Sequence, residues 1–180
     1  EVRLTPAQNL LLCGVAEADR DKIDLILSEH GQAVDKAGQG TVLERASMAC
    51  PALPTCGLAL AESERYVPEF LGLVDNIMDG AGLSGEEIIV RMTGCPNGCT
   101  RPYMAELGIV GRSPGKYAVY LGGNVAGTRL ARLYNQTVPS TEMADQLRPL
   151  LERYARYRRE GERFGDFCAR EVWPEIEVAI

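Results

Sequence analysis

The sequence has little of what membrane, nucleic-acid-binding and secreted proteins usually contain. No apolar run is long enough to span a bilayer. Its 19 basic residues are outnumbered by 25 acidic ones, and the net charge of −6 argues against a nucleic acid as partner. The single histidine, His30, stands at the end of a predicted helix, where a cation is favoured, so we interpret it as structural. The composition, 46% hydrophobic over 180 residues, is that of a globular protein.

Targeting features are also missing. The chain opens at Glu1 rather than at a methionine, and it lacks the basic and apolar regions of a signal peptide. We therefore expect a piece of a longer protein. Six cysteines without secretory features predict a reducing compartment, the cytoplasm, rather than a disulfide scaffold.

Two pairs of cysteines are the most informative feature that is present. Cys50 and Cys56 enclose five residues, Cys95 and Cys99 enclose three, and both loops contain proline. Soft sulfur ligands favour zinc, Cu(I) and iron. Zinc ribbons usually separate two cysteines by two residues, and these gaps are wider. The spacing therefore favours an iron–sulfur cluster, and zinc, disulfides or free core thiols remain as alternatives.

The other two cysteines and a glycine-rich stretch have simpler interpretations. Cys13 lies in an apolar run and Cys168 in an aromatic segment, so both are expected to fill the core. Residues 121–127 superficially resemble a phosphate loop, but no Lys-Ser/Thr follows them. We therefore predict no nucleotide site there.

The apolar pattern predicts an α+β fold, with a small mixed β-sheet and helices packed on it. Pro68 is expected either to kink a helix or to begin a new one. The predicted strands cover 10–13, 88–92, 107–110 and 117–121, and the predicted helices cover 19–30, 58–78, 126–134 and 141–160. One strand and one helix cannot close a core, so 1–38 is predicted to be a partial ferredoxin-like segment before a main domain at 39–180.

Four segments resemble one known family in the order in which that family carries them. Residues 93–109 read Thr-Gly-Cys-Pro-Asn-Gly-Cys-Thr-Arg-Pro-Tyr-Met-Ala-Glu-Leu-Gly-Ile, similar to the signature of the sirohaem-containing sulfite and nitrite reductases. Residues 48–56 resemble the family's first cysteine pair, and 121–129 and 164–167 resemble later motifs. The resemblance covers nearly the whole chain and matches the C-terminal, [4Fe–4S]-binding portion of the family.

The resemblance implies roles for particular residues. Cys50, Cys56, Cys95 and Cys99 would ligate a [4Fe–4S] cluster, and Cys99 would also bridge to the iron of sirohaem. Asn97 would lie against the haem edge and Gln8 would contact its periphery. The alternatives are a left-handed turn residue for Asn97 and a solvated strand end for Gln8.

The implied activity is the six-electron reduction of sulfite to sulfide. Electrons would come from an NADPH-dependent flavoprotein or from ferredoxin, and the basic groups that bind substrate from the N-terminal remainder of the enzyme. An isolated piece would then hold the cluster without sirohaem, or neither group. Two alternatives stay open: a ferredoxin-dependent nitrite reductase, and a non-catalytic module that binds a cluster for electron transfer, or zinc for structure. Residues 154–159 would attract an acidic donor, but are interpreted as a solvated helix face.

Overall fold

The computed structural model describes residues 1–31 and 40–178. The chain divides into two compact units, Glu1–Thr41 and Val42–Ile180. The predicted boundary after residue 38 lies outside the described residues and stays a prediction.

The first unit is a hairpin followed by a helix. Strands β1 (Val2–Leu4) and β2 (Leu10–Leu12) pair antiparallel, and a short 3₁₀ turn leads into α1 (Arg20–Glu29). Gly31 has a φ of +71°, the left-handed conformation that ends many helices. His30 Nδ1 lies 2.9 Å from the Ile26 carbonyl oxygen, in agreement with a structural role. The predicted strand and helix are confirmed, and β1 was not predicted.

The second unit is built on a five-stranded mixed sheet in the order β3-β4-β5-β6-β7. Strands β3, β4 and β5 run parallel, and β6 and β7 continue the sheet antiparallel. Gly115, with a φ of +66°, forms the tight turn between β5 and β6 that the sequence predicts. The strands are β3 (Met48–Ala49), β4 (Val90–Thr93), β5 (Leu107–Ser113), β6 (Lys116–Leu121) and β7 (Arg132–Pro139).

Two long helices supply most of the helical part of the core. Apolar residues of α3 and α4 form one buried cluster with residues of the sheet, including Phe70, Leu147 and Ile109. This arrangement confirms the predicted α+β class. The helices of this unit are α2 (Val42–Arg45), α3 (Val67–Gly80), α4 (Met143–Tyr157), α5 (Phe164–Phe167) and α6 (Trp173–Val178), with a π-helical turn (Cys168–Val172) joining the last two.

The prediction of a helix from residue 58 is wrong in its first part. The helix begins at Val67 with Pro68 in its first turn, one of the two predicted outcomes. The residues before Val67 are not helical because their backbone groups form hydrogen bonds outside the segment. The Leu60 and Ala61 N–H groups both donate to the Gly94 carbonyl.

The predicted helix at 126–134 is also wrong. Asn124 Oδ1 accepts hydrogen bonds from the backbone N–H of Thr128 at 2.9 Å and of Arg129 at 3.1 Å, which closes a turn instead. The chain then enters β7, which pairs with β6 from Arg132 to Pro139.

Within the residues that the structure describes, no helix is long and apolar enough to cross a bilayer.

Candidate functional site: two cysteine loops at one sheet edge

The two cysteine loops begin at the same edge of the sheet. Strands β3 and β4 are parallel neighbours, with Ala49 opposite Met92. Cys50 follows β3 directly, and Cys95 comes two residues after β4. Since neighbouring parallel strands end at one edge, both loops leave the sheet side by side, where ligands commonly bind in sheets of this kind. Cys50 and Cys95 are buried, with 8% and 7% of their surfaces exposed.

The Met92 carbonyl, near the end of β4, holds the surrounding segments together. It accepts hydrogen bonds from the Cys50 N–H at 3.2 Å and from the buried hydroxyls of Ser63 and Thr100 at 2.8 and 3.0 Å. One carbonyl thus ties the start of the first loop to the end of the second. Sequence reasoning missed both hydroxyls.

Gly94 connects the loops directly. Its N–H donates to Cys50 Sγ at 3.3 Å, and its carbonyl accepts from the Leu60 and Ala61 N–H groups at 2.8 and 3.0 Å. A Cβ added at Gly94 would lie 2.5 Å from the Ala61 carbonyl oxygen and 2.6 Å from Ala52 Cβ. The close approach of the loops therefore requires glycine here.

Gly94→Ala should destabilise the protein by about 1–3 kcal/mol, because backbone must move to make room for the methyl group. Urea unfolding measures the loss. The matched control is Gly72→Ala, at an exposed position of helix α3, where an added Cβ meets no atom within 4 Å. The control should gain up to about 1 kcal/mol from helix propensity. Equal stability in the two variants would contradict the close approach.

The first loop turns back on itself before Cys56. Ala52 adopts a φ of +50°, and its carbonyl accepts the Cys56 N–H at 2.6 Å. This bond presents Cys56, which is half-buried, on the return of the loop.

The second loop places its cysteines differently. The Thr93 hydroxyl donates to the Cys95 carbonyl at 2.6 Å and fixes the buried end of the loop, while Cys99 is exposed. The left-handed positions are Gly98 and Arg101, with φ of +68° and +58°, and Asn97 is exposed without a positive φ. The alternative of Asn97 as a left-handed turn residue is therefore wrong. A single 3₁₀ turn, Pro102–Met104, follows this loop.

Two arginines lie beside this loop. Arg91 Nη1 donates to the Arg101 carbonyl at 3.4 Å, and Arg101 Nη2 is 3.9 Å from Met48 Sδ. Burial, and then the neighbouring charge of Arg101, lowers the pKa of Arg91. The two guanidinium groups thus place positive charge near the second loop.

Glu106, the acidic residue of the signature at 93–109, is a buried anchor. No role was predicted for it from the sequence. Its side chain is 1% exposed and accepts the N–H groups of Ile89 at 2.9 Å and Gly165 at 3.0 Å. Arg163 donates to it through Nε at 3.2 Å and Nη2 at 2.8 Å. These bonds to Glu106 raise the pKa of Arg163. The signature carries an acidic residue at a fixed position, and this was the sequence feature that could have revealed the role of Glu106.

The two remaining motifs meet at the glycine-rich turn. A Cβ on Gly165 would lie 2.1 Å from the Gly123 carbonyl oxygen, so the segments touch backbone to backbone. Arg129 donates to the Gly122 carbonyl at 2.7 Å and to Asp166 at 2.6 Å. The structure therefore joins the signature at 93–109 to the segments 121–129 and 164–167 through Glu106 and Arg129.

Three other predicted residues lie apart from the loops in sequence. Gln8 is exposed in the turn between β1 and β2, with a φ of +62°. Cys13 follows the hairpin and is half-buried, which is less than a core position requires. Cys168 is fully buried in the core, as predicted, and burial raises the pKa of its thiol.

The cysteine thiols can be compared with the needs of a single metal ion and of a cluster. All six cysteines carry free thiols. In the described part of the chain, no three Cys, His, Asp or Glu residues form a group that could hold one metal ion. A zinc ion needs its thiolates about 2.3 Å from a common centre. In a four-iron cluster each cysteine can bind a different iron, so the sulfurs need no common centre.

Comparison with known proteins places the chain. No family model matches it. Its sequence is 49% identical over 171 residues to the sulfite reductase [NADPH] hemoprotein beta-component of Staphylococcus carnosus, which covers 95% of this chain and 30% of that protein. It is 50% identical over 170 residues to the protein of the same name from Chromohalobacter salexigens, covering 94% and 29%.

The chain is homologous to sulfite reductase haemoproteins over 94–95% of its own length. It spans about 30% of the length of the curated family members that it matches. Among solved structures, the NirA protein of Mycobacterium tuberculosis superposes with a TM-score of 0.74 at 26% identity, over 94% of this chain and 32% of NirA. The resemblance read from the sequence and the α+β fold class are both confirmed.

Proposed function

We propose that this chain is the cluster-bearing, C-terminal part of a sulfite reductase haemoprotein, with Cys50, Cys56, Cys95 and Cys99 as ligands of a [4Fe–4S] cluster. The observation that carries the proposal is that both cysteine pairs leave one edge of a parallel strand pair, in a chain 49% identical to a named sulfite reductase haemoprotein. When bound, the cluster would store and pass single electrons to a sirohaem.

The protein's own groups prepare the sulfurs for this role. The Gly94 N–H already points at Cys50 Sγ, and a hydrogen bond to a ligating sulfur stabilises its negative charge. Burial of Cys50 and Cys95 keeps water away from one side of the site. The guanidinium of Arg101 lies against Met48 of β3, so it adds positive charge near the start of the first loop, where an anionic cluster would bind.

Cys99 is the proposed bridge to sirohaem iron. Its exposure supports this assignment, because a sulfur shared by two metal centres must be reached from two sides, whereas Cys95 in the same loop is buried. Asn97, exposed two residues earlier, would lie at the haem edge, and Gln8 of the first unit would contact the haem periphery.

The proposed reaction is the six-electron reduction of sulfite to sulfide. The net charge of −6 does not suit an oxyanion on its own, so the basic groups around the substrate would come from the remainder of the polypeptide. The partial segment at 1–38 would likewise belong to a larger ferredoxin-like module.

The electron donor is proposed to be an NADPH-dependent partner component in the cytoplasm. The names of the curated relatives, which include NADPH and describe a beta-component, support this donor over ferredoxin. Within residues 154–159, the pairing of Arg158 with Glu86 at 2.5 Å offsets part of the positive charge that would attract an acidic donor.

The experiment is a reductase assay on the full polypeptide, with sulfite and nitrite offered separately and a reduced viologen dye as electron source. We expect sulfide to form and the visible spectrum to show sirohaem bands. Faster turnover of nitrite would assign the chain to the nitrite reductase alternative. A cluster spectrum without sirohaem or turnover would favour the non-catalytic module.

A further inference from the structure

Tyr103 packs across the second cysteine loop although it is no sulfur ligand. Its hydroxyl donates to the Pro96 carbonyl at 3.2 Å, and its Cε2 would lie 3.2 Å from a Cβ built on Gly98. The ring therefore touches the loop at two points between Cys95 and Cys99. The bond to Pro96 holds the ring beside the residue that follows Cys95, and burial first of all raises the pKa of Tyr103.

The ring is held in this position from behind. It meets Tyr120 of β6 edge to face, with centroids 5.0 Å apart at 87°, a favourable aromatic geometry. The Tyr120 hydroxyl accepts from Arg112 at 3.3 Å. The Tyr103 backbone is fixed as well, because its carbonyl accepts the Ala131 N–H at 2.7 Å.

We propose that Tyr103 is a positioning residue of the cluster site, a clamp that holds the Cys95–Cys99 loop in its ligating shape and shields Cys95 from water. The inference rests on the proposed function. Two contacts to one five-residue loop, from a ring fixed by a neighbouring strand, limit how far the two sulfurs can separate. Shielding matters because solvent exposure is one of the factors that set the potential of a cluster.

The test compares Tyr103→Leu, Tyr103→Phe and the control Tyr120→Phe in the anaerobically purified full polypeptide. Tyr103→Leu removes the ring, and Tyr103→Phe removes only the bond to Pro96. In the control, Tyr120 keeps its ring against Tyr103 but loses its hydroxyl, which faces Arg112 and not the loop. Two quantities are measured: the rate of iron release to a chelator and the midpoint potential of the cluster.

Iron release should be on the order of tenfold faster in Tyr103→Leu and roughly threefold faster in Tyr103→Phe, the latter being the effect of one net hydrogen bond. The control should match the wild type. The potential should rise in Tyr103→Leu, since water stabilises the extra negative charge of the reduced cluster. A lower melting temperature with unchanged iron release and potential would overturn the proposal, because it would show a structural role alone.

Thiol alkylation separates this proposal from the proposed function. If the wild type holds no cluster, the proposed function fails, and the clamp is tested by the rate at which iodoacetamide labels Cys95. Cys50, equally buried, serves as the internal control. Faster labelling of Cys95 but not of Cys50 in Tyr103→Leu supports the clamp. Equal Cys95 rates in Tyr103→Leu and wild type overturn it.

Discussion

Replacing Cys99 by serine should remove most of the iron and sulfide from the protein. Serine keeps the shape of the side chain but offers a hard oxygen, which replaces thiolate poorly on a cluster. We expect cluster iron, counted apart from the sirohaem iron, to fall from about four to below about one per chain, and the magnetic coupling to sirohaem to disappear with the proposed shared sulfur. Iron and sulfide assays, with electron paramagnetic resonance on the same samples, measure both effects.

Cys13→Ser is the matched control, because it makes the same chemical change at a half-buried cysteine of the first unit. It should keep full iron, sulfide and coupling. Equal cofactor content in the two variants would show that the second cysteine loop is not the ligand site.

Glu106→Gln should cost about 2–3 kcal/mol of unfolding free energy, because it removes the buried charged partner of Arg163 and leaves buried hydrogen-bond donors unpaired. The carboxylate is 1% exposed and accepts four hydrogen bonds, from the Ile89 and Gly165 N–H groups and twice from Arg163. An amide cannot accept all four, since its NH₂ group only donates. Urea unfolding gives the loss directly.

Glu87→Gln tests whether burial of the carboxylate explains the large loss of stability expected for Glu106→Gln. Glu87 pairs with the same Arg163 at 3.0 Å, but its side chain is 48% exposed. Exposed pairs contribute little, so this variant should lose less than about 1 kcal/mol. Losses of similar size in the two variants would mean that the buried carboxylate does not anchor the three motifs.

The parts predicted correctly from the sequence depend on local patterns. The strands around Ile109 and Val119 are apolar runs with a glycine turn between them, and α4 shows regular helical spacing. The cysteine loops could be located because their residue types are chemically distinctive. Their roles as ligands, and those of Asn97 and Gln8, stay predictions.

The parts predicted wrongly depend on contacts between distant residues. Leu60 and Ala61 look helical by composition, yet they bond to Gly94, more than thirty positions later in the sequence. The helix predicted at 126–134 is wrong for the same reason. One side chain, Asn124, closes the turn, and the strand that follows is defined by its pairing with β6, so neither feature is visible in the local sequence pattern. Glu106 had no predicted role, since Gly165 and Arg163 reach it from 59 and 57 residues away.

The most direct measurement is an anaerobic assay of iron, acid-labile sulfide and zinc on one sample of the purified protein. A four-iron cluster held by Cys50, Cys56, Cys95 and Cys99 predicts about four non-haem iron and about four sulfide per chain, with no stoichiometric zinc. Zinc at about one per chain without sulfide would contradict the account, because the four cysteines would then form a structural site.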